Sequence, residues 1–188
     1  MPNTAAPQLT HMAVFATDLP PMERFYADVL GLVVSDQGRS PNLGVDLVFM
    51  TADPDKHHQF VLVSGRAPGA AGNVQQVSFL VDSLATLRQV HGRALAAGVP
   101  APRCVTHGNA FSAYFPDPEG NTIEVYCDTP WYVPQPFGVP IDLSRPDAAL
   151  EAENEALCRA TPGFLTRAEW QAGVAARIRA RMAERLAA

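Results

Sequence analysis

The chain is poor in cysteine. The three it has, Cys104, Cys127 and Cys158, are odd in number, and none stands in the Cys-x-x-Cys spacing of zinc ribbons or redox motifs, which points to a reducing compartment. Basic charge is scarce as well: 14 Lys and Arg against 19 Asp and Glu leave a formal net charge of -5. A dedicated nucleic-acid binder needs clustered Lys and Arg to replace phosphate counterions, so small-molecule partners are the better expectation. Long apolar runs are missing too. Pro, Gly or charge interrupts every apolar stretch well short of the roughly 18 residues a membrane span needs. The opening Met1-Pro2-Asn3-Thr4 has neither the basic start nor the apolar run of a signal peptide. The expectation is a soluble cytoplasmic protein with no membrane or nucleic-acid partner.

What is present is a globular composition, 47% hydrophobic and 18% charged over 188 residues, enough for one domain or two small fused modules. Alternation predicts a first strand over Leu9 to Ala16, with His11, Ala13 and Phe15 on one face and Met12 and Val14 on the other. Asp18, Leu19 and two prolines open a helix predicted over Met22 to Leu30, stopped by Gly31. Short strands follow at Leu32 to Ser35, Val45 to Met50 and Phe60 to Ser64.

A shift of about 65 positions lays Leu9 to Leu19 over Val74 to Leu84 and brings out a second copy. It contains a strand over Val74 to Val81 and a helix over Leu84 to Ala97 closed by Gly98. Strands at Cys104 to Thr106, Ala113 to Phe115 and Thr122 to Cys127 complete it. The order β-α-β-β-β thus occurs twice, and Asp117-Pro118 followed by Gly120-Asn121 marks a turn between the last two strands. The fold expected is α+β, with two such modules curling into a cup-shaped mixed sheet over residues 1–128. Residues 129–188 form an arm and C-terminal helices.

The arm, Thr129 to Pro140, carries four prolines with Trp131, Tyr132 and Phe137, and reads as extended chain that is either a surface strap or a lid. A short helix over Pro146 to Cys158 and a longer one over Arg167 to Leu186 follow. The latter places Trp170, Val174, Ile178, Met182 and Leu186 at i+4 spacing among Arg177, Arg179, Arg181 and Arg185. Such a stripe packs against its own chain or a twin subunit, so a homodimer is expected.

The segment Val105-Thr106-His107, then Tyr114, then Asp117-Pro118-Glu119-Gly120-Asn121-Thr122-Ile123-Glu124 is the most specific in the chain. It resembles the signature of the extradiol ring-cleaving dioxygenases. They are a branch of the vicinal oxygen chelate superfamily, which also holds glyoxalase I and the bleomycin-resistance proteins. Ala113 stands where that signature usually has a larger aliphatic residue. The doubled β-α-β-β-β unit over residues 9–127 is the fold that superfamily uses.

Carried over by position, the resemblance implies metal ligands at His11, Gln76 and Glu124, and strand parity puts all three on the face away from the helices. Ring-cleaving relatives have histidine where Gln76 stands, completing a two-histidine, one-carboxylate set on Fe(II). An amide oxygen is the weaker donor. The alternative for Gln76 is a polar side chain in an empty cup. By the internal repeat the position related to Glu124 is close to Val61, and glyoxalase-type relatives carry a fourth ligand at that place. An apolar residue there leaves coordination positions free.

The pair His57-His58 resembles the histidines that precede this strand in ring-cleaving enzymes, which makes His58 the expected acid-base group, although its parity is wrong for the cup unless the strand's start re-aims it. His107 and Tyr114 fall where the family hydrogen-bonds substrate oxygens. The function implied is a dioxygenase using Fe(II), with Mn(II) or another divalent ion as alternatives, on a catechol-like aromatic and dioxygen. A metal-dependent isomerase or lyase of the glyoxalase type and a non-enzymatic small-molecule binder are the alternatives. Specificity is expected from Phe15, Leu80, Phe111 and whatever Trp131 and Tyr132 cover.

Overall fold

A computed structural model describes residues 8–72 and 74–187. The first module runs β1 (Met12–Ala16), α1 (Leu19–Asp28), β2 (Val33–Arg39), β3 (Asp46–Thr51) and β4 (Phe60–Ser64). The second runs β5 (Val77–Val81), α2 (Leu84–Ala96), β6 (Arg103–Thr106), β7 (Ala110–Pro116) and β8 (Thr122–Asp128). Beyond them lie β9 (Trp131–Tyr132), β10 (Val139–Pro140), α3 (Asp147–Ala160), β11 (Leu165–Thr166) and α4 (Arg167–Ala187). The two modules do not share one hydrogen-bonded sheet. They form two mixed sheets, ordered β1-β4-β3-β2 and β10-β6-β7-β8-β5, and in each the module's first strand pairs in parallel with its last.

The register shows the duplication directly. Ala13 lies opposite Val61 in the first sheet as Ser78 lies opposite Glu124 in the second. In both first strands the residues between those on the open face turn inward: Val14 and Ala16 in β1, and Val77 in β5, are buried. They join Met22, Tyr26, Leu87, Ile123 and Val125 in one hydrophobic cluster that also takes in Leu143 and Leu150 from beyond residue 128. Burial of such side chains, worth roughly 25 cal/mol per Å² of apolar surface, is what holds helices and sheets together.

Several boundaries differ from the expectation for physical reasons. The first strand starts at Met12 rather than Leu9, since Leu9, 92% exposed, has no apolar surface to cover. α1 begins at Leu19, upstream of the expected Met22. Pro20 and Pro21 stand in its first turn, where a missing N–H costs nothing. Asp18 makes no side-chain cap; Glu119 Oε1 instead accepts from Thr17 N at 2.6 Å and Asp18 N at 3.0 Å. A carboxylate from the second module therefore sits at the N-terminus of the first module's helix, where the helix dipole favours it.

The turn that supplies Glu119 is built by Asp117. Its carboxylate accepts from the backbone N–H groups of Glu119 and Asn121, from Asn121 Nδ2, and from the buried phenol of Tyr26 at 3.0 Å. Arg66 closes the junction on Glu119 Oε2 at 3.2 Å. The arm is stitched down rather than loose: β9 pairs with β11, β10 extends the second sheet along β6, and Val133 is fully buried. No helix among the described residues is long and apolar enough to cross a membrane.

Candidate metal centre and its hydrogen-bond network

Glu124 is the hub. It sits in β8 between Tyr114 on β7 and Ser78 on β5, each directly opposite it in register, and only 8% of its surface is exposed. Ser78 Oγ donates to Oε2 at 2.6 Å and Gln76 Nε2 donates to the same oxygen at 2.8 Å. Tyr114 donates its phenol proton to Oε1. Among the described residues no cation pairs with this nearly buried carboxylate.

Tyr114 also lies 2.8 Å from His107 Nε2, while His107 Nδ1–H donates to the Phe137 carbonyl at 2.6 Å. With Nδ1 carrying the ring proton, a neutral His107 offers Nε2 as an acceptor. The phenol then holds a single proton between two acceptors, Glu124 and His107. Burial, with the Glu124 carboxylate adding to it, pushes the Tyr114 phenol up to about 12, so it stays a donor through the neutral range. The Arg103 guanidinium lies 4.3 Å above the same ring. A cavity of about 220 Å³ opens beside this network, lined by His107, Asn109, Glu124, Tyr126 and Gln135.

The other half of the predicted set lies at the start of β1. His11 packs edge-on against His58 with ring centroids 4.4 Å apart, and His58 lies 5.1 Å from Phe49. Phe49 is opposite Val61, on the open face, so the loop before β4 re-aims His58 against strand parity. His58 Nδ1 is 2.9 Å from His57 Nδ1, which leaves Nε2 available. Burial, with His11 and His57 beside it, lowers the His58 pKa below its ordinary value, so the ring is a neutral base at pH 7.

The structure thus joins Gln76 with Glu124, Tyr114 and His107, and joins His11 with His58. No hydrogen bond links His11 to the first group among the described residues, and no three His, Cys, Asp or Glu side chains there are grouped as a metal cage. Phe15 and Leu80, 62% and 59% exposed, lie on the open face as expected. Phe111 does not: β7 parity turns it with Ala113 and Phe115 into the core. Nor do Trp131 and Tyr132 cover the site. Trp131 packs on Phe164 and Tyr132 stacks on Trp170, because the C-terminal elements give them a larger apolar partner. Ser78 is the contact that the motif did not flag; its parity with Gln76 was the available signal.

Comparison with known proteins agrees with this architecture. Residues 8–125 match the profile of the Glyoxalase/Bleomycin resistance protein/Dioxygenase superfamily, and the chain belongs to that superfamily. It is 27% identical over 168 residues to biphenyl-2,3-diol 1,2-dioxygenase 2 of Rhodococcus globerulus, a match covering 79% of this chain and 84% of that one. To biphenyl-2,3-diol 1,2-dioxygenase 3 of the same organism it is 28% identical over 132 residues, 66% of this chain and 65% of that one. Among solved structures, a glyoxalase/bleomycin resistance protein/dioxygenase domain from Frankia sp. EAN1pec superposes with a TM-score of 0.56 at 17% identity, over 66% of this chain and 100% of that one. The fosfomycin resistance protein FosX of Listeria monocytogenes, crystallised with Mn(II), does so with a TM-score of 0.52 at 16% identity, over 66% and 95%.

Proposed function

We propose that this chain is a divalent-metal-dependent dioxygenase of the extradiol type that opens a catechol-like ring with dioxygen, with Fe(II) as the expected ion and Mn(II) as the alternative. The observation that carries the reading is Glu124, a nearly buried carboxylate with three neutral donors and no cationic partner among the described residues. Burying an uncompensated charge is costly, and a bound cation offsets that cost. The donor chemistry fits. His11 offers imidazole and Glu124 a carboxylate. Gln76 spends its amide nitrogen on Glu124 and Ser78, which leaves its oxygen uncommitted among the described residues.

A divalent ion held by His11, Gln76 and Glu124 would supply chelation of two vicinal oxygens and electron exchange with dioxygen. The remaining work falls to the chain. His58 Nε2, neutral at pH 7, takes a proton from one catechol hydroxyl and returns it later. Tyr114 and His107 move one proton along their shared contact and orient the substrate oxygens. Phe15 and Leu80 offer apolar surface to the ring and keep water off it. The apolar Val61 in the place related to Glu124 leaves room at the ion.

Gln76 favours a second reading, an isomerase or lyase of the glyoxalase type on an oxygen-chelating substrate, since an amide oxygen binds iron less well than imidazole. Metal analysis of anaerobically purified protein, followed by oxygen uptake with a panel of catechols, tests both. Iron or manganese at one equivalent with catechol-dependent oxygen uptake is the expected result. Metal without oxygen uptake moves the assignment to the isomerase or lyase, and protein that takes up no divalent ion overturns the metal-centred reading.

A further inference from the structure

A cavity larger than the one beside Glu124 lies outside the candidate centre. It is about 610 Å³, between the N-terminus of α2, the end of β8 and the flank of α3, and four carboxylates line it: Asp82, Asp128, Glu151 and Glu155. Two of these already have partners, Asp128 in Arg167 at 2.6 Å and Glu155 in Arg159 at 2.7 Å. Asp82 and Glu151 are exposed and carry no ion pair among the described residues. Trp131 gives the cavity an aromatic wall.

The complementary feature is α4. Its first turns are anchored next to this cavity by Arg167 on Asp128 and by Trp170 on Tyr132. Farther along, no other element packs on the helix among the described residues: Arg177, Ile178 and Arg179 are all exposed, Ile178 by 56%. Arg177 and Arg181, one position before Ile178 and Met182, border the apolar stripe; Arg181 pairs with Glu184 at 3.2 Å within the helix, whereas Arg177 and Arg179 carry no ion pair among the described residues. A protein of net charge -5 therefore presents a projecting helix edged with arginine and, elsewhere, an acid-lined cavity.

The helix cannot reach the cavity of its own chain. At 1.5 Å per residue a straight helix carries Ile178 roughly 17 Å beyond Arg167. Pairing α4 with α4 of a second molecule would offer its arginines only Glu169 and Glu184 as acidic partners, and these are already engaged by Thr166 and Arg181. The acid-lined cavity of a second molecule answers both the charge and the apolar stripe.

We propose that two copies of this chain exchange α4, the Arg177–Met182 segment of each docking against the cavity formed by Asp82, Trp131 and Glu151 of the other. The contact is isologous, so one two-fold operation closes it without leaving a free surface for further growth. Its charged part is exposed and therefore weakens with salt.

Sedimentation velocity over a concentration series reads the proposal. The wild-type chain should sediment as a dimer at low ionic strength and dissociate progressively as sodium chloride is raised. Glu151→Arg alone, and Arg177→Glu with Arg181→Glu, should each weaken the dimer about tenfold or more, equivalent to about 1.4 kcal/mol. Combining the three changes should restore at least part of that loss, because the charges are exchanged rather than removed. Circular dichroism confirms that each variant is folded. A wild-type monomer, a dimer indifferent to both charge reversals, or a combined variant weaker than either parent would overturn the proposal. Recruitment of a monomeric wild type to anionic lipid vesicles through α4 would do the same.

Discussion

Tyr114 and Glu124 face each other across the β7-β8 ladder, and the phenol donates to the carboxylate while its oxygen lies 2.8 Å from His107. This pairing makes the signature segment physically intelligible. An antiparallel register sets which side chains are opposite, and here it places a donor against a carboxylate that has no cation of its own. A carboxylate fixed by three donors has its free lone pairs already aimed. Six substitutions test the roles proposed around this contact, the module junction and the strap.

Removing the phenol hydroxyl should separate geometry from chemistry. Tyr114→Phe deletes the donor to Glu124 and breaks the link to His107, but leaves the ring and its packing. Metal content should be kept, and turnover should fall about 10- to 100-fold, the usual scale for partners that orient a ligand. Parallel metal analysis and steady-state kinetics check it; unchanged turnover would mean that the phenol is structural.

Glu124→Gln should lose the divalent ion, because it removes the only buried negative charge in the network while keeping its shape. Gln76→His should act in the opposite sense on iron and tighten Fe(II), exchanging an amide oxygen for imidazole. Competition against a chelator measures both. Weaker iron binding by the histidine variant would show that residue 76 does not face the ion.

His58→Gln should lower turnover on a catechol by about 10²-fold or more without changing metal content. The lowered His58 pKa also has a pH consequence. Because the neutral ring is the base, the wild-type rate should fall only as the pH drops below the ordinary histidine range. The variant should lack that acid limb. A kcat/KM profile against pH distinguishes them.

Tyr26→Phe tests the junction between modules. The buried Asp117 carboxylate loses one of its donors, which should cost about 1–3 kcal/mol of stability in denaturant titrations. Burial, reinforced by Asp117, holds the Tyr26 phenol far above its normal pKa. The sign follows from linkage: the unfolded chain releases this proton first above about pH 10, so stability falls from there upward. The phenylalanine variant should show a shallower alkaline decline.

Gly108→Ala probes the strap. Gly108 has φ of +76°, and a Cβ there would stand 2.6 Å from Val133 Cγ2. Left-handed strain and overpacking together should cost about 2–4 kcal/mol. Since His107 is the neighbouring residue and is held by the Phe137 carbonyl, turnover should fall with stability. Thermal melts and kinetics on one preparation test the coupling.

Much of the architecture was written in local pattern. Period-2 alternation told which face of β1, β5 and β8 turns inward, because strand side chains alternate whatever the surroundings. The duplication was legible from the 65-residue shift, and the observed register repeats it at Ala13 and Ser78. What local pattern could not decide depends on distant partners. Parity alone pointed His58 away from the open face, yet the loop before β4 brings it onto His11. Phe111, Trp131 and Tyr132 read as pocket aromatics and are instead absorbed by the core and by the C-terminal elements, since an aromatic side chain goes to the largest apolar surface the fold offers it. The cap of α1 is not in its own sequence at all: Glu119, about a hundred residues away, takes that role. Sequence by itself determined the elements, their faces and the family. The tertiary structure decided which side chains meet, because hydrogen bonds and packing act over a few ångströms in space and are blind to separation along the chain.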